Sequence, residues 1–347
     1  QRLYGDHFKS TVIPASDGGD GFLDTIYNFK PVKKVYFRSV DAFQYAIDSY
    51  YLLDVETNTA YIELANTVGI RHLQSNELNI LKTSTHGVGL QIAHALDAGV
   101  RSIYIGLGGS ASNDMALGLL EALGFIFLDS NGALITYSFK NLSKIHSYEL
   151  PNSLQKKIQN CSFFAINDVL NPLCGPLGAA NIYGPQKGGS EETILAMDGS
   201  FEAFVCRFNF PYPCDISLEG GGAAGGTAYG LKAFLNAQFI NGFDFLASIA
   251  CLEDLLVTQK YDCIISGEGS LDNTSFQGKL LGRLIDLTEK HQLPLLLVCG
   301  QCHFDASALT NTHIVELLDE ETPIAQCIAQ PFALIENKVY HFFKFLL

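Results

Sequence analysis

Arg101–Gly124, RSIYIGLGGSASNDMALGLLEALG, contains one complete unit of the fold. Arg101–Ile105 is apolar enough for a buried strand, Gly106–Ser112 (GLGGSAS) is a turn, and the apolar run to Leu123 is a helix closed by Gly124. The same order recurs on both sides. Ser10–Ala15 (STVIPA) reads as a strand entering the loop Ser16–Gly21 (SDGGDG), with a helix from Phe22. Cys161–Ile166 enters Asn167–Gly178 (NDVLNPLCGPLG), followed by Tyr183–Gly189 (YGPQKGG). Glu219–Gly226 (EGGGAAGG) precedes a helix from Thr227. Tyr261–Ser266 enters Gly267–Leu271 (GEGSL), a helix follows from about Gln277, and Leu293–Val298 is a last buried strand. Continuous apolar strands alternating with glycine loops and helices predict an α/β fold with a parallel sheet. Lys33–Phe37, Gln44–Val55 and Thr59–Leu64 instead alternate polar with apolar or aromatic residues, which predicts antiparallel strands and a second, mixed domain. Ser84 (STHGVG) opens a helix over Leu90–Ala98 that Gly99 closes.

Composition bounds the function. The chain has 347 residues, enough for about two domains, and 48% hydrophobic against 17% charged residues excludes a disordered chain. A formal charge of −14 argues against nucleic-acid or anionic-membrane partners, while leaving small anions open to local backbone N–H groups. No apolar run approaches the roughly 18 residues of a spanning helix. The nine cysteines are odd in number and scattered, mostly within apolar runs, a pattern of reduced core thiols in a cytoplasmic protein.

The chemistry lies in the loops. At the carboxyl ends of parallel strands, glycine lets backbone N–H groups approach an anion, and several such loops together favour a phosphate site. None matches G-x-x-x-x-G-K-[ST], so a P-loop is excluded. Asp17, Asp20, Asp114, Asp168, Glu268 and Asp272 supply carboxylates, with Asp114 better read as a helix or turn cap. Lys187 is a cation within a glycine loop. Two patterns compete. Gly106–Ala111 fits the dinucleotide fingerprint G-x-G-x-x-A, with Asp129 18 residues on, and supports an NAD-dependent dehydrogenase. Cys299-Gly-Gln-Cys302 is a lone C-x-x-C, read as structural. The histidines show neither H-x-x-x-H nor H-E-x-x-H, which argues against zinc; His86 is placed to touch ligand and His94 to pack. No G-x-S-x-G supports a serine hydrolase.

Taken together, Pro14–Gly21 (PASDGGDG), Ile105–Asn113 (IGLGGSASN), Asp168–Gly178 (DVLNPLCGPLG), Tyr183–Gly188 (YGPQKG), Gly221–Gly226 (GGAAGG) and Gly267–Lys279 (GEGSLDNTSFQGK) resemble the type I glycerate kinases, in family order and over most of the chain. The resemblance implies two α/β domains with the active site in the cleft between them. One is a discontinuous flavodoxin- or Rossmann-like parallel-sheet domain, 1–30 plus 255–347; the other is an inserted mixed domain, 31–254. Family members open with a strand ending in a motif like A-P-D-S-F-K-G. That βα unit is absent here, so the expectation is a site lacking one of its parts. Asp20 stands where Glu is usual, His86 and Val88 where Tyr and Thr are common, and Thr274 where Gln is frequent.

The implied reaction is ATP-dependent phosphorylation of D-glycerate at the 2-hydroxyl with Mg²⁺. Asp17 and Asp20 are expected in the metal shell, Asp272 or Asp168 as proton acceptor, and Lys187 as the balancing charge. Phosphate and substrate are expected on Gly108, Gly109, Ser110, Asn113, Asn171, Gly221, Gly222, Gly267, Glu268 and Lys279. A catalytically silent ligand-binding member of the fold is the remaining alternative. The partner implied is a small hydroxy acid, and the oligomeric state is open, with a homodimer one reading.

Overall fold

The computed structural model describes residues 9–16, 18–272, 275, 280–303, 309–319 and 322–346. The chain forms two compact units, Pro14–Ile249 and a second from Gln1–Ile13 with Ala250–Leu347.

In the first unit the strands are β1 (Lys33–Val40), β2 (Ala46–Asp54), β3 (Thr59–Glu63), β4 (Ser102–Gly106), β5 (Ile126–Leu128), β6 (Ser147–Glu149), β7 (Ser162–Ile166) and β8 (Gln238–Ile240). Six of them form one sheet in the order β1-β2-β3-β4-β7-β8. β1, β2 and β3 pair antiparallel, and β3, β4, β7 and β8 pair parallel. Alternation of side chains along the parallel strands divides the core in two. Ala60, Ile62, Ile103, Ile105, Phe163 and Ala165 join one cluster with residues of the helices His86–Asp97, Leu117–Leu123 and Ala223–Leu235. Tyr61, Tyr104 and Ile166 join a second, with Phe22, Leu23 and Ile26 of the helix Phe22–Phe29 and Phe245 of the helix Gly242–Ile249. This packing holds the helix Phe22–Phe29 in the first unit, which begins at Pro14.

The second unit carries a parallel sheet of β9 (Ile264–Leu271), β10 (Leu295–Cys302) and β11 (Thr312–Glu316), in the order β11-β10-β9. Leu296, Val298, Val315, Leu317 and Cys327 form its buried cluster. Both units are α/β and both contain parallel pairing, as the strand–loop–helix pattern predicts.

Two local expectations fail for identifiable reasons. Ser10–Ala15 is not a strand: it has no ladder partner, and Val12 is 79% exposed. Gly267–Leu271 is not a loop, because β9 continues through it, paired with β10 from Leu295↔Ile264 to Cys302↔Leu271. The short strand β5 pairs with β6 in a separate two-stranded sheet, and Leu128 also bridges Leu134. Cys299 and Cys302 both lie on β10. Three residues of strand separate their Cα atoms by about 10 Å, beyond disulfide reach, so the C-x-x-C is structural. Among the described residues no helix is long and apolar enough to cross a membrane.

Candidate active site

The loops following β3, β4 and β7 gather at the carboxyl ends of the parallel strands, with the loop Ser16–Gly21 laid against them. Gly108 N–H donates to the Gly18 carbonyl at 3.0 Å. A Cβ at Gly108 would lie 2.4 Å from the Gly19 Cα, so only glycine lets the two backbones touch. Asp20 is engaged by Arg71, Nη1 to Oδ1 at 3.0 Å, and Arg71 Nη2 reaches Glu63 Oε1 at 3.4 Å. Glu63 ends β3 and is buried; its other oxygen accepts the Leu23 N–H at 3.1 Å. Burial raises the Glu63 pKa, opposed by that N–H and by the Arg71 charge. Asp17 lies outside the described residues.

Behind this layer sits a buried polar cluster. Lys187, 3% exposed, comes from the turn Pro185–Lys187 and donates from Nζ to the Ser112 carbonyl at 2.6 Å and to Ser110 Oγ at 3.5 Å. Burial lowers its pKa to about 7, against the upward pull of Asp114. Ser110 and Ser112 share a hydroxyl contact at 3.1 Å. Asp114 accepts from Thr85 N–H at 2.7 Å, Thr85 Oγ1 at 2.9 Å, Ala116 N–H at 3.2 Å and Gly118 N–H at 3.3 Å. It caps the turn into the helix Leu117–Leu123 and is not presented to a ligand, in line with its reading as a cap. Burial raises its pKa, with the Thr85 bonds working the other way. Asn113 is buried with Oδ1 unpartnered among the described residues; His86 Nδ1 is unpartnered there too, and burial lowers the pKa of that ring, favouring the neutral imidazole. His94 packs, as expected, stacked on Phe37 and bonded to the Tyr51 hydroxyl.

The remaining loops are tied to one another. Asp168, after β7, accepts the Gly242 N–H at 2.6 Å and so caps the helix Gly242–Ile249. Asn171 accepts from the Tyr183 hydroxyl at 2.7 Å, and its Nδ2 donates to the Leu177 carbonyl. Gly221 and Gly222 donate their N–H groups to Leu218 and Asn171 carbonyls. Gly225 accepts from Met115 N–H, and a Cβ there would sit 2.2 Å from the Ser112 carbonyl oxygen. The N–H groups of Gly108, Gly221 and Gly222 are thus spent on protein carbonyls, and these glycines serve close backbone packing rather than an anion cradle. Gly109 sits beside Asp20, where an added Cβ would be 3.4 Å from Oδ1.

In the second unit Gly267 and Glu268 are strand residues lining an apolar cavity of about 690 Å³ with Ile265, Val298, Ile324 and Ile328. Asp272, exposed just past β9, makes a turn with Ser275, whose N–H reaches Oδ1 at 3.2 Å. Lys279 lies outside the described residues. Glu63 and Arg71 escaped the sequence reading, because neither stands in a glycine loop; a buried acid closing an apolar strand was the available signal for Glu63.

The dinucleotide fingerprint does not survive the geometry. The space that a pyrophosphate needs beside its second glycine is filled here by Gly18 and Gly19. Asp129 follows β5, outside the main sheet, and its carboxylate is bound by Asn131 and Ala133 N–H groups.

A parallel-stranded α/β scaffold with acidic and glycine loops at its strand ends defines the class of small-ligand enzymes. A model of the glycerate kinase family matches residues 2–347. Over 298 residues the chain is 30% identical to a glycerate kinase of Bacillus cereus, spanning 86% of this chain and 77% of that one. It is 29% identical to the glycerate 2-kinase of Escherichia coli over 300 residues, with the same 86% and 77% coverage. A crystal structure from Salmonella typhimurium LT2, described as that of a glycerate kinase 2, superposes with a TM-score of 0.72 at 28% identity, covering 96% of this chain and 89% of that one. The chain belongs to the glycerate kinase family and is a kinase.

Proposed function

We propose that the chain transfers the γ-phosphoryl group of ATP to the 2-hydroxyl of D-glycerate with Mg²⁺. The observation that carries this reading is a family match running through every glycine and acidic loop of the chain. The hydroxyl oxygen bonds to the γ-phosphorus as the bond from that phosphorus to the β–γ bridging oxygen breaks; ADP leaves, and the hydroxyl proton passes to a carboxylate. Asp272 is the carboxylate assigned to that proton, with Asp168, which also accepts the Gly242 N–H, as the second candidate. Lys187 acts from behind the Ser110–Asn113 loop, fixing Ser112 and adding positive charge when protonated.

Among the described residues no three His, Cys, Asp or Glu side chains converge on one point. That donor set fits a metal arriving on nucleotide phosphates, because Mg²⁺ there takes one or two protein carboxylates beside phosphate oxygens and water. Asp17 is the carboxylate assigned to it. The ion, when bound, neutralises charge on the phosphates and holds them in line.

ADP release with Mg-ATP and D-glycerate, beside a hydroxy-acid panel and a no-acceptor control, tests the reading. Glycerate-dependent release that EDTA abolishes supports it; release with another acid alone changes the substrate, and silence throughout points to a ligand-binding protein. Asp272→Asn should keep the melting temperature and lower kcat by about 100-fold or more. Near-normal kcat in that variant removes Asp272 from the role.

A further inference from the structure

We infer that Arg71 is a positioning residue: by joining Asp20 to Glu63 it fixes the Gly18–Gly21 loop on the strand ends, and Asp20 serves as the anchor of that loop, not as a ligand of the metal. The inference rests on the proposed phosphoryl transfer for its kinetic consequence and on geometry alone for its structural one. Arg71 divides its two terminal nitrogens between two carboxylates, Asp20 at 3.0 Å and Glu63 at 3.4 Å. Glu63 turns its second oxygen to the Leu23 N–H. One buried carboxylate therefore holds the C-terminal side of the loop twice, at Asp20 through the guanidinium and at Leu23 directly. On the opposite side Gly18 is bonded to Gly108, and Gly19 leaves no room for a side chain there.

The energetics separate this pair from an ordinary surface bridge. The Glu63 side chain is 5% exposed, and a carboxylate that deeply placed needs a compensating cation. A planar guanidinium can span two acids in fixed geometry, whereas a lysine ammonium, a point charge on a flexible stem, holds them without that orientation. Asp20 is the outer end, half exposed at 49%, with Oδ1 engaged by Arg71. A dication at Asp20 would share the carboxylate with the Arg71 guanidinium, whose positive charge 3.0 Å from Oδ1 opposes it.

The test compares Arg71→Ala, Arg71→Lys, Asp20→Asn and the Arg71→Ala/Asp20→Asn double variant in the full chain. A misplaced loop should lower kcat/KM about 10- to 100-fold in each alanine or asparagine variant. The double variant should be no worse than either single one, because both break the same link. Arg71→Lys should recover part of the loss, and the Mg²⁺ concentration giving half-maximal rate should stay within about two-fold of wild type throughout. A rise in that concentration confined to Asp20→Asn, with losses that multiply in the double variant, would return Asp20 to the metal and overturn the inference. Hydrogen exchange at Gly18–Leu23 decides the structural half without any turnover. Faster exchange in Arg71→Ala, with exchange in the helix His86–Asp97 unchanged, supports the clamp, and unchanged exchange at Leu23 overturns it. If wild type phosphorylates no hydroxy acid, the functional reading fails while the exchange result still stands.

Discussion

A lysine whose Nζ lies 2.6 Å from a carbonyl inside the fold carries a measurable signature. Its pKa falls from 10.5 to about 7 because burial penalises the ammonium more than Asp114 supports it. A depressed lysine pKa means that the unfolded chain holds a proton which the folded chain has released over the window from about 7 to 10.5. Stability therefore rises with pH across that window; below it both states are protonated and the burial penalty is present in full. Urea unfolding at pH 6.5, 8 and 9.5 should show wild type gaining on Lys187→Met by up to about 1.4 kcal/mol per pH unit. Parallel pH profiles for the two proteins would show that Lys187 titrates as an ordinary lysine. The same residue marks a limit of reading from sequence. Lys187 stands out as a cation in a glycine turn, but its burial depends on Ser110 and Ser112, some 75 positions earlier in the chain. Arg71 was invisible for the same reason: an arginine in a polar stretch acquires meaning only when Asp20 and Glu63 arrive from elsewhere.

At the scale of elements, glycine is where pattern and packing part company. Strand, glycine turn and helix around Arg101–Gly124 follow from apolar runs and breakers, and the structure places β4 and the helix Leu117–Leu123 as that reading expects. What the turn is for does not follow. A glycine admitting a phosphate and a glycine admitting another backbone look the same in one sequence, and Gly108 proves to be the second kind. Gly108→Ala should cost about 2–3 kcal/mol, since the atoms in its way are the Gly19 Cα and N and neither belongs to a flexible side chain. Gly199 is the contrast. It is exposed within the helix Glu191–Arg207, with nothing within 4 Å of an added Cβ, so Gly199→Ala should gain about 0.5–1 kcal/mol. Chemical denaturation of both variants checks the pair, and a neutral Gly108→Ala would mean the two backbones are not pressed together. The misreading of Gly267–Leu271 has a related cause: GEGSL is poor in strand formers, and its extended state is imposed by pairing with β10.

At the scale of the whole molecule, the even scatter of cysteines was legible as chemistry because it needs no partner to be known. None of the nine is in a disulfide in the structure, and exposure divides them. Cys206 and Cys251 are exposed, while Cys299 and Cys327 are buried. Burial raises the thiol pKa to about 12 for Cys161, Cys174 and Cys299, which leaves almost no thiolate at pH 8. A thiol-disulfide reagent acts only on thiolate it can reach, so native protein at pH 8 should show two fast equivalents, from Cys206 and Cys251. Partly exposed thiols should follow slowly, and all nine should react in denaturant without added reductant. Replacing Cys206 and Cys251 by serine should remove the fast phase and change the melting temperature little, since both positions are exposed. A total below nine in denaturant would reveal a disulfide and break the reading of a reduced chain. A fast phase that survives the double replacement would come from a partly exposed thiol more reactive than its burial implies, or from opening of the packing around Cys299 and Cys327.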